Sequence, residues 1–97
     1  MEIKDQIKHL TNKFATDMFK NGVESAVSSL CIVSRSIGAK RPNLADVYSN
    51  SEEDAVEFGC VLFFDVLGGK MTLGRFVESV FYHAAVQVAY EVRDGVA

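Results

Sequence analysis

The spacing of apolar residues divides the chain into four helical segments separated by short polar breaks. In residues 2–20 apolar side chains recur every three or four positions, which is typical of one helical face, and Asn21-Gly22 can end that helix. In residues 23–37 the apolar side chains again share one face, and Gly38 is expected to end the second helix. Serines and β-branched residues make this segment a weak helix former, so burial must stabilise it.

The third segment begins at "SEED", where Ser51 is predicted to cap the first turn of a helix. The run "AVEFGCVLFFDVL" that follows is apolar on almost all sides, which fits either a central strand or a buried helix. The capping residue and the length favour the buried helix. Gly59 inside this run is expected to mark the close approach of a neighbouring helix.

The fourth segment, residues 73–93, is the clearest helix, and Thr72 is predicted to cap it. Its apolar side chains form a continuous stripe at spacings of three and four residues. The stripe consists of Val77, Val80, Phe81, Ala84, Ala85, Val88, Ala89 and Val92. The sequence therefore predicts an all-α fold in which residues 1–97 form a single, compact four-helix domain. A short additional helix near residues 42–48 is an open alternative.

A second line of side chains lies opposite that stripe. Tyr82, Val86 and Tyr90 are four residues apart, and Arg75 and Arg93 lie near the two ends of the same helix. Tyrosine and arginine are enriched where proteins bind partners. These five residues are therefore predicted to contact a protein partner or a second copy of the chain in a homodimer. The alternative is that the fourth helix is central and covered on both sides by its own chain.

The stretch "IGAKRPNLADVY", residues 37–48, raises a different hypothesis. Its spacing fits a helix-turn-helix unit with the turn at Gly38, and Arg35, Lys40, Arg41 and Asn43 would then contact DNA or another anion. The positions that fit this pattern are Val33, Ser34, Ile37, Gly38, Ala39, Leu44 and Val47.

Two observations weaken the DNA interpretation of this stretch. Asp46 falls inside the proposed reading helix, and the whole chain carries a net charge of −3. The favoured interpretation is a polar connection whose Leu44 and Val47 dock on the core. Nucleic acid binding is the less favoured prediction, and a nucleotide or small-anion site is a third one.

The composition indicates a globular chain, since 48% of the residues are apolar and 24% are charged. The N-terminal residues are charged and amphipathic, unlike a signal peptide, and no apolar run is long enough to span a bilayer. Cys31 and Cys60 lie in apolar runs without metal-ligand spacing, which favours buried, reduced thiols, although a disulfide stays open. The expectation is a cytoplasmic protein without membrane contact.

The sequence contains no pattern typical of catalysis. His9 and His83 are the only histidines, and neither has the neighbours of a metal-binding motif. A pair of Cys31 or Cys60 with His83 lacks the basic neighbours that would lower a thiol pKa. We therefore expect a non-enzymatic protein with no cofactor and no metal.

Asp65 is unexpected within "VLFFDVL", because a buried carboxylate needs a partner. Arg75 or Arg35 could pair with it. If Asp65 is instead exposed, the apolar residues around it become the candidate partner surface.

These observations favour a small interaction or regulatory protein of the inhibitor or adaptor type, acting through a helical surface on another macromolecule. The accessory proteins that phages use to modulate host systems are similar in size and class. The alternative is a helix-turn-helix DNA-binding regulator.

Overall fold

Four α-helices and one short 3₁₀ helix make up the part of the chain that the computed structural model describes, residues 2–46 and 53–95. This part contains no strand, and the predicted all-α, four-helix fold is confirmed. The elements are α1 (Ile3–Asn21), α2 (Val23–Lys40), the 3₁₀ helix Pro42–Asp46, α3 (Ala55–Leu67) and α4 (Leu73–Arg93).

The turn between α1 and α2 forms at Gly22, as the sequence predicts. Gly22 has a φ of 89°, a backbone conformation that residues with a Cβ atom rarely adopt. Its N–H donates to the Met18 carbonyl at 3.0 Å, which satisfies one of the last carbonyls of α1. The chain therefore reverses between α1 and α2 within one residue.

The predicted end of α2 at Gly38 is wrong, because the helix continues through Gly38 to Lys40. Gly38 is buried against the backbone of α4. A Cβ atom at this position would lie only 2.7 Å from the carbonyl carbon of Ala85. Glycine is therefore needed here for the close approach of two helices and not for a turn.

The start of α3 also differs from the prediction. Asp54 caps the helix, and its side chain accepts hydrogen bonds from the N–H groups of Val56 and Glu57 at 3.0 and 3.1 Å. Ser51, the predicted cap, lies outside the described residues. The helix itself, which the sequence favoured over a strand, is confirmed.

Gly59 lies where α3 meets both α2 and α4. A Cβ atom built on Gly59 would be 2.7 Å from Val27 of α2 and 3.4 Å from Val80 of α4. The predicted close approach of a neighbouring helix at Gly59 is therefore confirmed.

The central element is α4, which begins after its predicted cap Thr72 and contacts α1, α2, α3 and the 3₁₀ helix. The rings of Phe14, Phe63 and Phe76 join α1, α3 and α4, with centroids 5.2–6.1 Å apart. Leu44 of the 3₁₀ helix is buried, as predicted, whereas Val47 lies outside the described residues. No helix in the described ranges is both long enough and apolar enough to cross a lipid bilayer.

Candidate interaction surface

The stripe predicted on the second side of α4 is not an exposed surface. Val86, its middle residue, is only 2% exposed, and Tyr82 and Tyr90 are half-buried. The reason is the central position of α4: the 3₁₀ helix packs on it in addition to α1, α2 and α3. The structure therefore supports the alternative, in which other elements of the same chain cover α4 on both sides.

The two arginines predicted with this stripe lie at opposite ends of α4. Arg75 is exposed in the first turn. Arg93 donates to the Asp46 carboxylate at 2.6 Å, and its guanidinium lies 4.7 Å from the centre of the Tyr90 ring. Arg93 thus ties the 3₁₀ helix to the end of α4.

The turn that the helix-turn-helix pattern predicts at Gly38 is wrong, because α2 passes through this residue. Arg35 and Lys40 are exposed on α2, but five residues of helix separate their directions by about 140°. Arg41 is half-buried after the helix end, and Asn43 is exposed in the 3₁₀ helix. The structure therefore does not place Arg35 and Lys40 on a common face, and the rest of the proposed reading helix lies outside the described residues.

The inner side of α3 is attached firmly to α4. The Phe58 ring stacks on the His83 ring with centroids 4.2 Å apart and planes 11° from parallel. The Nε2 atoms of His83 and Gln87 both lie 2.8 Å from the Glu53 carbonyl, which can only accept hydrogen bonds. These contacts hold α3 and the residue before its cap in one position.

The outer side of α3 carries large apolar residues that no other element of the described part of the chain covers. Val61, Phe64 and Leu67 are 60%, 71% and 70% exposed, and we call these three residues the α3 outer face. The expectation of a buried helix therefore holds for the inner side of α3 and is wrong for its outer side. Within residues 2–46 and 53–95, only one side of α3 packs on the other elements.

Two open grooves lie along the flanks of the α3 outer face. Each has a volume of about 280 Å³. The first is lined by Val23, Cys60, Phe63, Phe64 and Leu67. The second is lined by Glu53, Phe58, Val61, Leu62 and Asp65. Phe19 on α1 and Ile32 on α2 are also exposed, but they line neither groove.

Asp65 borders the second groove and is half-exposed. Within the described ranges it forms no ion pair, so the pairing predicted with Arg75 or Arg35 is wrong. Water can solvate a half-exposed carboxylate, which removes the need for a buried partner. Asp65 is thus neither the buried carboxylate nor the fully exposed one expected from the sequence, and it is the exposure of the α3 outer face that identifies the candidate surface.

The two cysteines are free thiols with raised pKa values. Burial raises the pKa of Cys31 to about 11, and the nearby Asp54 carboxylate contributes to the shift. Burial also raises the pKa of Cys60, and the Glu24 carboxylate raises it further. Both thiols are therefore protonated at neutral pH.

Comparison of the chain with known protein families, with curated proteins and with solved structures finds no match. In the ranges 2–46 and 53–95 no three His, Cys, Asp or Glu side chains are close enough together to hold a metal ion. Function is therefore inferred from the geometry of the helices, and the α3 outer face is the candidate site.

Proposed function

We propose that this chain is a non-enzymatic interaction protein that binds a segment of another protein on the α3 outer face. The observation that supports the proposal is the exposure of Val61, Phe64 and Leu67 on one side of a single helix. Soluble proteins rarely expose a contiguous apolar patch without a use for it, since contact with water is unfavourable.

The attachment of α3 to the rest of the chain supports this role. The Asp54 cap, the Phe58–His83 stack and the close packing at Gly59 hold the inner side of α3 in place. A surface that is ordered before binding loses less conformational entropy when a partner docks. The α3 outer face with its two grooves is therefore suited to receive an apolar helix from a partner.

The chemistry of the possible nucleophiles also favours binding over catalysis. A thiol acts as a nucleophile in its thiolate form, and the raised pKa values of Cys31 and Cys60 oppose that form. His83, the base that could assist them, is stacked on Phe58 and hydrogen-bonded to the Glu53 carbonyl. We propose that the protein acts as an inhibitor or adaptor, by occupying a surface on its partner.

Capture of partners from an extract of the native host tests this proposal. The immobilised wild-type chain is compared with Phe64→Ser/Leu67→Ser, which removes two apolar side chains of the α3 outer face. The matched control is Phe19→Ser/Ile32→Ser, which removes two exposed apolar side chains that line neither groove.

We expect the wild type and the control to retain the same partner and the α3 variant to lose it. Both variants should keep the helical circular dichroism of the wild type, because all four side chains are exposed. Equal retention of the partner by all three proteins would show that the α3 outer face is not the interaction surface.

A further inference from the structure

We infer that the partner segment that docks on the α3 outer face is an amphipathic helix with lysine or arginine on both flanks of its apolar stripe. This inference rests on the proposed function and adds the chemistry of the partner. It follows from the charges that surround the exposed apolar residues.

All the charged residues in and just before α3 are acidic. Residues 53–67 contain four carboxylates and no lysine or arginine. The four are Glu53, Asp54, Glu57 and Asp65. Asp54 is used as the helix cap, and Glu57 and Asp65 remain beside the α3 outer face.

The carboxylates surround the apolar surface on both sides. Glu57, Val61 and Asp65 are spaced by four residues, so they follow one line along α3, with Val61 between the two acids. Asp65 borders the second groove. On the opposite flank, Val23 of α2 lines the first groove, and the exposed Glu24 is the next residue of that helix.

The spacing of these charges specifies the geometry of the partner. The α carbons of Glu57 and Asp65 are about 12 Å apart, since eight residues of α-helix rise by that distance. Two basic residues seven or eight positions apart on a partner helix have the same separation. The 13 residues of α3 extend over about 20 Å, so a partner helix of similar length can lie along the whole face.

A second copy of the chain fits this surface poorly. Because α3 has no basic residue, no register of α3 against α3 pairs opposite charges. An antiparallel pair centred on Val61 would place Glu57 of one copy beside Asp65 of the other, and like charges in contact are unfavourable. The same carboxylates repel nucleic acid and anionic lipid surfaces. A basic protein helix is the occupant that complements both the apolar and the charged parts of this face.

The test uses two synthetic helical peptides that share one leucine stripe. The first carries lysine on both flanks of the stripe, and the second carries glutamate at each of those positions. Binding of each labelled peptide to the full chain is followed by fluorescence anisotropy. We expect the lysine peptide to bind at least about tenfold more tightly at low salt, and the difference to shrink as salt screens the charges.

Charge reversal on α3 distinguishes the effect of the α3 carboxylates on peptide binding from the effect of the net charge of the protein. In Glu57→Lys/Asp65→Lys the preference should invert toward the glutamate peptide. Glu2→Lys/Asp5→Lys makes the same change of net charge at exposed positions at the start of α1, and it should keep the preference of the wild type. Phe64→Ser/Leu67→Ser should lose both peptides.

Several results would overturn the inference. One such result is that the wild type binds both peptides equally and that Phe64→Ser/Leu67→Ser binds neither. This result would contradict the basic chemistry of the partner, but it would leave the proposed function standing. Absence of binding by the lysine peptide at millimolar concentration also overturns the inference, while the capture experiment decides the proposed function separately. A wild-type dimer in sedimentation that dissociates in Phe64→Ser/Leu67→Ser would show that a second copy occupies the face.

Discussion

Gly38 is the residue on which the close packing of α2 against α4 depends. A Cβ atom there would meet the backbone of Ala85, and a backbone carbonyl cannot rotate away as a flexible side chain can. We therefore predict that Gly38→Ala lowers the free energy of unfolding by about 3 kcal/mol, measured by urea denaturation.

The matched control for Gly38 is Gly74→Ala in the first turn of α4. Apart from the adjacent residues and the backbone of its own helix, no atom lies within 4 Å of a Cβ atom built on Gly74, so alanine is accommodated there. Alanine also favours helix more than glycine, and Gly74→Ala should be neutral or stabilising by up to about 1 kcal/mol. Equal effects of the two substitutions would contradict the packing assigned to Gly38.

At the scale of an element, the cap of α3 determines where the interaction helix begins. Asp54 accepts two backbone hydrogen bonds, so Asp54→Ala should lower the free energy of unfolding by about 1 kcal/mol. Asp54→Asn keeps an acceptor oxygen and should stay close to the wild type, again by urea denaturation. If Asn is as destabilising as Ala, the charge at the helix N-terminus matters and the hydrogen bonds do not.

The elements differ in how well their sequence predicts them, for physical reasons. The range Leu73–Arg93 and its Thr72 cap are predictable because apolar periodicity and a capping side chain are local properties. Gly38 misleads, because a glycine that ends a helix and one that allows close packing look the same in the sequence. Ser51 and Asp54 are both acceptable capping residues in "SEED", so which of the two caps α3 depends on packing and not on the local sequence.

The candidate site is harder to predict from the sequence than the fold, because the exposure of a side chain depends on which helix is central. Periodicity places Tyr82, Val86 and Tyr90 on one side of α4, but it does not show that the 3₁₀ helix and its neighbours cover that helix. The sequence of α3 is apolar on almost all sides and predicts a buried helix. The signal that marks its outer side is the pair of acids, Glu57 and Asp65, on either side of Val61.

At the scale of the whole molecule, one arrangement explains both the stable core and the exposed surface. Because α4 occupies the centre, the other helices pack around it, and α3 contacts the other described elements on one side only. The remaining apolar side of α3 faces outward with two grooves beside it. The core therefore forms without the α3 outer face, and that face is available to a partner.

The central claim is that the α3 outer face is uncovered in the free protein and covered by the partner. The most direct test is the rate of alkylation of the native Cys60 thiol, which lines the first groove beside Phe64 and Leu67, in a chain in which Cys31 is replaced by alanine. We predict that Cys60 is alkylated in the folded free protein at micromolar concentration and is strongly protected in the complex with the captured partner. Absence of alkylation in the free protein, or an unchanged rate in the complex, would contradict the account.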